Sequence, residues 1–270
     1  MKALPFVARR VLDMLQREET SIAELCGVIE KDQNISTRVL RVSNSALYGV
    51  RQEVTSLRQA TMLLGFNNIK DIVLGVTTKS LFKTFGITEQ MMWDHSVGAA
   101  IAAKRFSGGG GKELAEVAFL GGLMHDFGKV VMNNETPDLY RVVMMKVFNE
   151  GYSSMRAEEE VYGFTHAAVG SKVLELWGFP PIYVTMLARH HAEGREFAAI
   201  TDMATARAVA CINLADYACK ALGIGYRSPE KGLELDRVAS AAYLSFTKDD
   251  LVSLLNEISA SYEAEKAAFN

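Results

Sequence analysis

All five histidines of this 270-residue chain fall between positions 95 and 191. His125-Asp126 is an adjacent pair inside the apolar stretch Phe119 to Met132, and His190-His191 is a second adjacent pair. His95 shares a helical stripe with Ala99, Ala102, Ala103 and Phe106, and His166 shares one with Val169, Val173 and Trp177. Asp216 belongs with them, on the stripe of Val209, Ile212 and Cys219. An imidazole or carboxylate on the apolar face of a helix is desolvated, and a buried charge without a partner is costly. Several such groups on different helices could converge in the core, where a divalent metal would satisfy them together.

The residues alone leave a plainer reading open. An apolar stripe covers a third or more of a helix, so chance places some polar residues on it. A lone core histidine is more often hydrogen-bonded than metal-bound, and Asp126 can pair with Lys129 three positions on.

The elements that would position these groups are helical. Leu4, Val7, Val11 and Leu15 form a stripe with Arg9, Arg10, Asp13 and Gln16 off it. Ser21 with Glu24, and Ser56 with Gln59, have the spacing of capping boxes, and Gly65 can close the second helix. Ile69, Ile72, Val73 and Val76 continue the pattern, and Leu251, Leu254, Leu255, Ile258 and Tyr262 make a face near the end. Pro180-Pro181 marks a helix start. Gly108 to Gly111 reads as a helix-to-helix loop. It is not a P-loop, because Phe106 and Glu113 stand where that motif needs Gly and Ser or Thr. No stretch alternates long enough for a sheet, so the expected class is all-α.

Composition excludes other classes. Hydrophobic residues are 49% and charged residues 23%, which rules out a disordered or collagen-like chain. A net charge of −3 gives no basic footprint for nucleic acid or an anionic membrane. No run approaches the ~18–20 apolar residues of a membrane span, and MKALPFVARR lacks the apolar core of a signal peptide. Cys26, Cys211 and Cys219 form no CxxC pair and read as core residues. A cytoplasmic location is expected.

His95, His125-Asp126 and Asp216 resemble the H…HD…D signature of the HD superfamily of metal-dependent phosphohydrolases, and Gly122 to Lys129 resembles its most recognisable stretch. His166 and His190-His191 resemble the extra histidines of members with two or more metals. Leu4-Pro5, Asp32, Arg38 to Gly49 and Val54 to Gly65 are similar to the HDOD family, helical bundles of bacterial signalling related to the HD domain. The resemblance covers about residues 4 to 220. Gln33 departs from the family's usual Pro, a change at a helix entry, and Asn44 reads as a helix-end residue bonding local backbone.

The resemblance implies an HD/HDOD-like bundle with a smaller N-terminal lobe, residues 1–85, against an HD-like lobe, residues 86–270. It implies one or two divalent ions (Fe, Mn, Ni or Zn) held by His95, His125, Asp126, His166, His190, His191 and Asp216. His95, His125, Asp126 and Asp216 would hold one ion, and Asp126 would bridge to a second held by His166, His190 and His191. Two functions follow. One is a regulatory module that binds signalling proteins, which many HDOD members are thought to be, and this reading is favoured at this stage. The other is a phosphohydrolase acting on a phosphorylated small molecule, with Asp126 and Lys129 in catalysis and Lys129 neutralising a phosphate oxygen. Ala192 to Phe197 follows the paired histidines where the cyclic-di-GMP phosphodiesterases called HD-GYP carry a Gly-Tyr-Pro loop, so that activity is not expected.

Overall fold

The computed structural model describes residues 4–15, 17 and 20–269 of the chain, without the side chain of Leu15. The expected off-stripe position of Gln16 and the place of Leu15 on its stripe therefore lie outside the described residues. Among the described residues there is no strand. The helices, in chain order, are α1 (Phe6–Leu15), α2 (Ile22–Ile29), α3 (Gln33–Ser43), α4 (Leu57–Leu64), α5 (Phe66–Lys79), α6 (Ile87–Phe106), α7 (Gly111–Met124) and α8 (Phe127–Glu135). There follow α9 (Pro137–Glu150), α10 (Ser154–Tyr162), α11 (His166–Leu176), α12 (Pro181–Arg189), α13 (Met203–Leu222), α14 (Ala239–Tyr243) and α15 (Lys248–Phe269).

Local signals place the helix ends. Asp32 caps α3 by accepting from the N–H groups of Asn34 and Ile35, with Gln33 as the first helical residue. Ser21 and Ser56 accept from the N–H groups of Glu24 and Gln59. The reciprocal arm of each expected capping box goes elsewhere. Glu24 pairs with Arg17 at 3.0 Å, and Gln59 Oε1 accepts from the N–H of Thr55. The long side chains find better partners just outside the helix, so each box is half made. Pro181 is the first residue of α12, and the expected loop between α6 and α7 is residues 107–110, with Gly111 opening α7. Asn44 ends α3 and binds backbone, donating to Leu40 O and Val54 O and accepting from the Val54 N–H.

The core is continuous from Leu4 to Phe269. At its centre α6 packs against α7 and α13, with Trp93, Ile101 and Phe106 fully buried. The N-terminal helices α1, α3 and α4 pack on α5, and α5 in turn lies on α7. The three cysteines are free and buried in this core. A smaller apolar cluster, Met132, Tyr140, Val143 and Ala157, joins α8, α9 and α10. The last helix, α15, folds back across α6 and α3. No helix among the described residues is long and apolar enough to cross a membrane.

Candidate metal centre

Two of the histidines stand at helix C-termini and are held in the same way. His125 follows the last residue of α7, and His190 follows the last residue of α12. Each donates from Nδ1 to the carbonyl three residues back, His125 to Gly122 O and His190 to Leu187 O, both at 2.7 Å. The free carbonyls of a helix end need donors, and the pairing leaves each Nε2 as a bare lone pair pointing inward. Asn213 donates to His190 O at 2.8 Å and to Ala192 O, which pins the His190-His191 turn.

Asp126 occupies the N-cap position of α8 but makes no cap hydrogen bond. Its carboxylate turns into the core instead. His95 projects from the middle of α6 and Asp216 from the middle of α13. His166 opens α11, whose cap is Thr165. Close helix contact is needed for this convergence, and two glycines of the Gly122–Lys129 stretch permit it. A Cβ on Gly128 would run into the His166 carbonyl oxygen, and one on Gly122 would lie 2.7 Å from Ala99 O.

All seven sequence-derived candidates come together, in two groups whose potential ligand atoms lie within 4.8 Å of one another. One group is His95, His125 and Asp216; the other is Asp126, His166, His190 and His191. Asp126 faces both. Its Oδ1 is 3.1 Å from His166 Nε2 and 3.7 Å from His190 Nε2, while its Oδ2 is 3.5 Å from the Nε2 atoms of His95 and His125. Lys129, the other catalytic candidate, donates to Asp126 Oδ2 at 2.7 Å. The plain reading of that pair holds as well, because the ion pair and the convergence coexist.

Nitrogens face nitrogens across this centre. His95 Nε2 and His125 Nε2 are 3.2 Å apart, His166 Nε2 and His190 Nε2 are 3.1 Å apart, and His191 Nε2 is 3.0 Å from His166 Nε2. Burial pushes His125 from the ordinary 6.5 down to about 3, and lowers His190 and His191 as well. These three rings therefore favour the neutral form, which leaves unprotonated nitrogens gathered at the centre. Asp126 Oδ1 is buried with no hydrogen-bond partner. An inorganic cation is what such a set of acceptors lacks. The residues therefore fit a divalent metal, with nitrogen and oxygen donors and no cysteine among them.

Burial alone would raise the carboxyls, yet both ionise. His125 and Lys129 hold Asp126 well below the ordinary carboxylate range, and Lys220 and His95 do the same for Asp216. His166 moves the other way: burial and Lys129 would lower it, but the carboxylates of Asp126 and Glu158 raise it. In the metal-free chain a proton can stand there in place of the cation.

The sequence reading missed four supporting residues. Lys220 donates to Asp216 Oδ2 at 2.7 Å, one helical turn on, a spacing legible in advance. Tyr226 sets its ring edge against His95, with centroids 5.2 Å apart. Neither Glu158, against His166, nor Asn213 carried a signal, since their contacts cross between elements. A cleft of about 830 Å³ reaches the centre along Lys129, His191, Asp216, Lys220 and Tyr226. His191 is its most open candidate ligand, with a side chain 24% exposed.

An all-helical bundle thus gathers histidines and aspartates from separate helices into one buried, two-part centre. The family model of the HDOD domain matches residues 1–193, and the chain belongs to the HDOD family. Among solved structures, it is similar to an HDOD domain protein of unknown function from Geobacter sulfurreducens. That match has a TM-score of 0.83 and 23% identity, and covers 99% of this chain and 93% of the other. A suggested signal transduction protein from Marinobacter aquaeolei has a TM-score of 0.72 at 18% identity, over 100% of this chain and 59% of that one. A suggested metal-dependent phosphohydrolase from Shewanella amazonensis has a TM-score of 0.69 at 21% identity, over 100% and 92%. At these identities the likeness is one of fold. The chain spans 37% and 17% of the lengths of curated relatives it matches.

Proposed function

We propose that this HDOD protein hydrolyses a phosphoester with two divalent ions held in the His/Asp centre. The observation that carries the reading is Asp126, whose two carboxylate oxygens each face a different group of histidines. His95, His125 and Asp216 would hold one ion, His166, His190 and His191 the other, and Asp126 both. Bound there, divalent ions supply Lewis-acid polarisation of a phosphoryl oxygen and acidify water at neutral pH.

The chain's own residues do the rest. Lys129 stays charged, because Asp126 and Glu158 outweigh its burial, and it lies on the cleft beside the centre. It is placed to neutralise a phosphoryl oxygen as charge develops. Lys220 flanks the other side of the same cleft and is also held charged, by Asp216. Burial of His95, His125, His166 and His190 keeps bulk water from that side of the centre. The cleft's size suits an organic phosphate rather than a bare anion.

The sequence alone favoured a binding module for signalling proteins, and one observation still supports it. Lys129 and Lys220 are both committed to carboxylates of the centre at 2.7 Å, so neither is a free cation. The test is metal analysis of the purified protein, then turnover of nucleotides, cyclic dinucleotides and simple phosphoesters with Mn, Fe, Ni or Zn. Hydrolysis should track metal content and vanish, together with metal binding, in Asp126→Ala. A fully metallated protein inert on every substrate would favour the module.

A further inference from the structure

Glu158 lies on α10, eight residues before His166, and its side chain is completely buried. Buried carboxylates are rare unless paired, and this one spends a single oxygen on two bonds. Glu158 Oε2 accepts from the backbone N–H of His166 at 2.7 Å and from its Nδ1 at 2.6 Å. The other oxygen, Oε1, has no hydrogen-bond partner. A backbone carbonyl, as at His125 and His190, would hold the ring without burying an acid. A carboxyl whose one oxygen takes both His166 donors must act through what His166 faces on its far side.

That far side is the group Asp126, His166, His190 and His191. A carboxylate on the Nδ1–H of a histidine fixes the tautomer and makes Nε2 a stronger donor toward a metal. The other group has no such support. His125 leans on the Gly122 carbonyl, and His95 Nδ1 has only Ile224 O at 3.4 Å. The two groups share Asp126 but differ in what stands behind their histidines.

We propose that Glu158 is a positioning residue for one ion only, its hydrogen bond to Nδ1 strengthening the site at His166 and making the two metal sites unequal. The inference rests on the two-ion reading of the centre. Nothing in it needs Glu158 to touch substrate.

The test is Mn²⁺ binding to the full chain, measured by titration calorimetry with stoichiometry checked by metal analysis. Glu158→Gln keeps the side chain's shape and an oxygen to accept from His166, but exchanges the carboxyl for an amide, which weakens the hydrogen bond to Nδ1. One of the two Mn²⁺ affinities should weaken on the order of 10- to 100-fold, with the other unchanged. His166→Ala should remove the same ion, and adding Glu158→Gln to it should change the remaining affinity no further. Two ions bound as tightly in Glu158→Gln as in the unmodified chain would overturn the role of Glu158 and leave the two-ion centre standing. Equal weakening of both ions would also overturn it, marking Glu158 as a structural anchor of α11. An unmodified chain that takes up no Mn²⁺, Fe²⁺, Ni²⁺ or Zn²⁺ would remove the centre and the inference together. Because the glutamine variant could fold poorly, its far-UV circular dichroism and melting curve accompany the titration. If it is unfolded, Glu158→Asp, which keeps the carboxyl but draws it back from Nδ1, is read by the same criteria.

Discussion

Asp126 sits where a helix would ordinarily use a carboxylate as a cap, and the structure leaves that capping bond unmade. The reason is competition: three groups on other elements and Lys129 claim its oxygens. Lys129→Ala should leave metal content unchanged and lower kcat on the order of 10²-fold if the ammonium stabilises developing charge. Steady-state kinetics beside metal analysis would separate the two effects, and partner binding without any loss of turnover would count against catalysis. The histidines also set a pH dependence. His125 is held near 3 against an ordinary 6.5, and His190 and His191 are lowered too. Below about pH 6.5 the unfolded chain takes up protons that these native rings refuse, and stability rises with pH wherever the unfolded state binds more protons. The depressed Asp126 and Asp216 act in the same direction below the ordinary 3.8, while the raised His166 and, outside the centre, the raised Asp71 and Asp94 oppose it. Urea midpoints of the metal-free protein should fall from pH 7 to pH 4, the three lowered histidines outweighing the raised groups. A rise over that interval would contradict the neutral buried histidines.

At the scale of elements, the corner between α7 and α8 carries the most chemistry. The chain turns at His125-Asp126, and α8 then runs so close to α11 that only glycine fits at 128. Gly128→Ala must push the two helices apart, since the obstacle is backbone and not a flexible side chain. A loss of roughly 1–3 kcal/mol is expected from such overpacking, read as a lower thermal midpoint. Metal uptake should weaken with it, because His166 rides on the displaced helix. At the starts of α2 and α4 the half-made capping boxes matter little. Ser21 and Ser56 still satisfy an N–H each, and the missing reciprocal bonds are replaced by Arg17 and Thr55.

For the whole molecule, the segment beyond residue 220 has two separate parts to play. Its first stretch, through Tyr226, Arg227 and Glu230, walls the cleft and touches His95. Its last helix returns to the N-terminal helices, where Arg38 donates to Val76 O and to Phe269 O and so ties α3, α5 and α15 together. Ile258, on α15, is fully buried and lies far along the chain from every candidate ligand. Ile258→Ala should cost about 2–5 kcal/mol in chemical denaturation while leaving metal stoichiometry intact. Loss of metal at unchanged stability would mean that α15 acts on the centre directly.

The sequence by itself determined the helical class, several of the helix ends and every ligand candidate. The apolar stripes around His95, His166 and Asp216 follow from the 3.6-residue period, and that period decides which face is buried whatever the neighbours are. The same stripes foretold the burial of Leu4, Val7, Val11, Ile258 and Tyr262. The family resemblance already implied the division, with Asp126 between His95-His125-Asp216 and His166-His190-His191; tertiary structure supplied the helix approach distances that bring it about, which local pattern does not encode. It also decided the partners behind the ligands. Lys220 was legible one turn from Asp216, but Glu158 and Asn213 reach their histidines across loops, where neither period nor spacing relates the two residues. A buried carboxylate on α10 acquires meaning only when α11 is packed against it, since desolvation and hydrogen-bond geometry are properties of the assembled core.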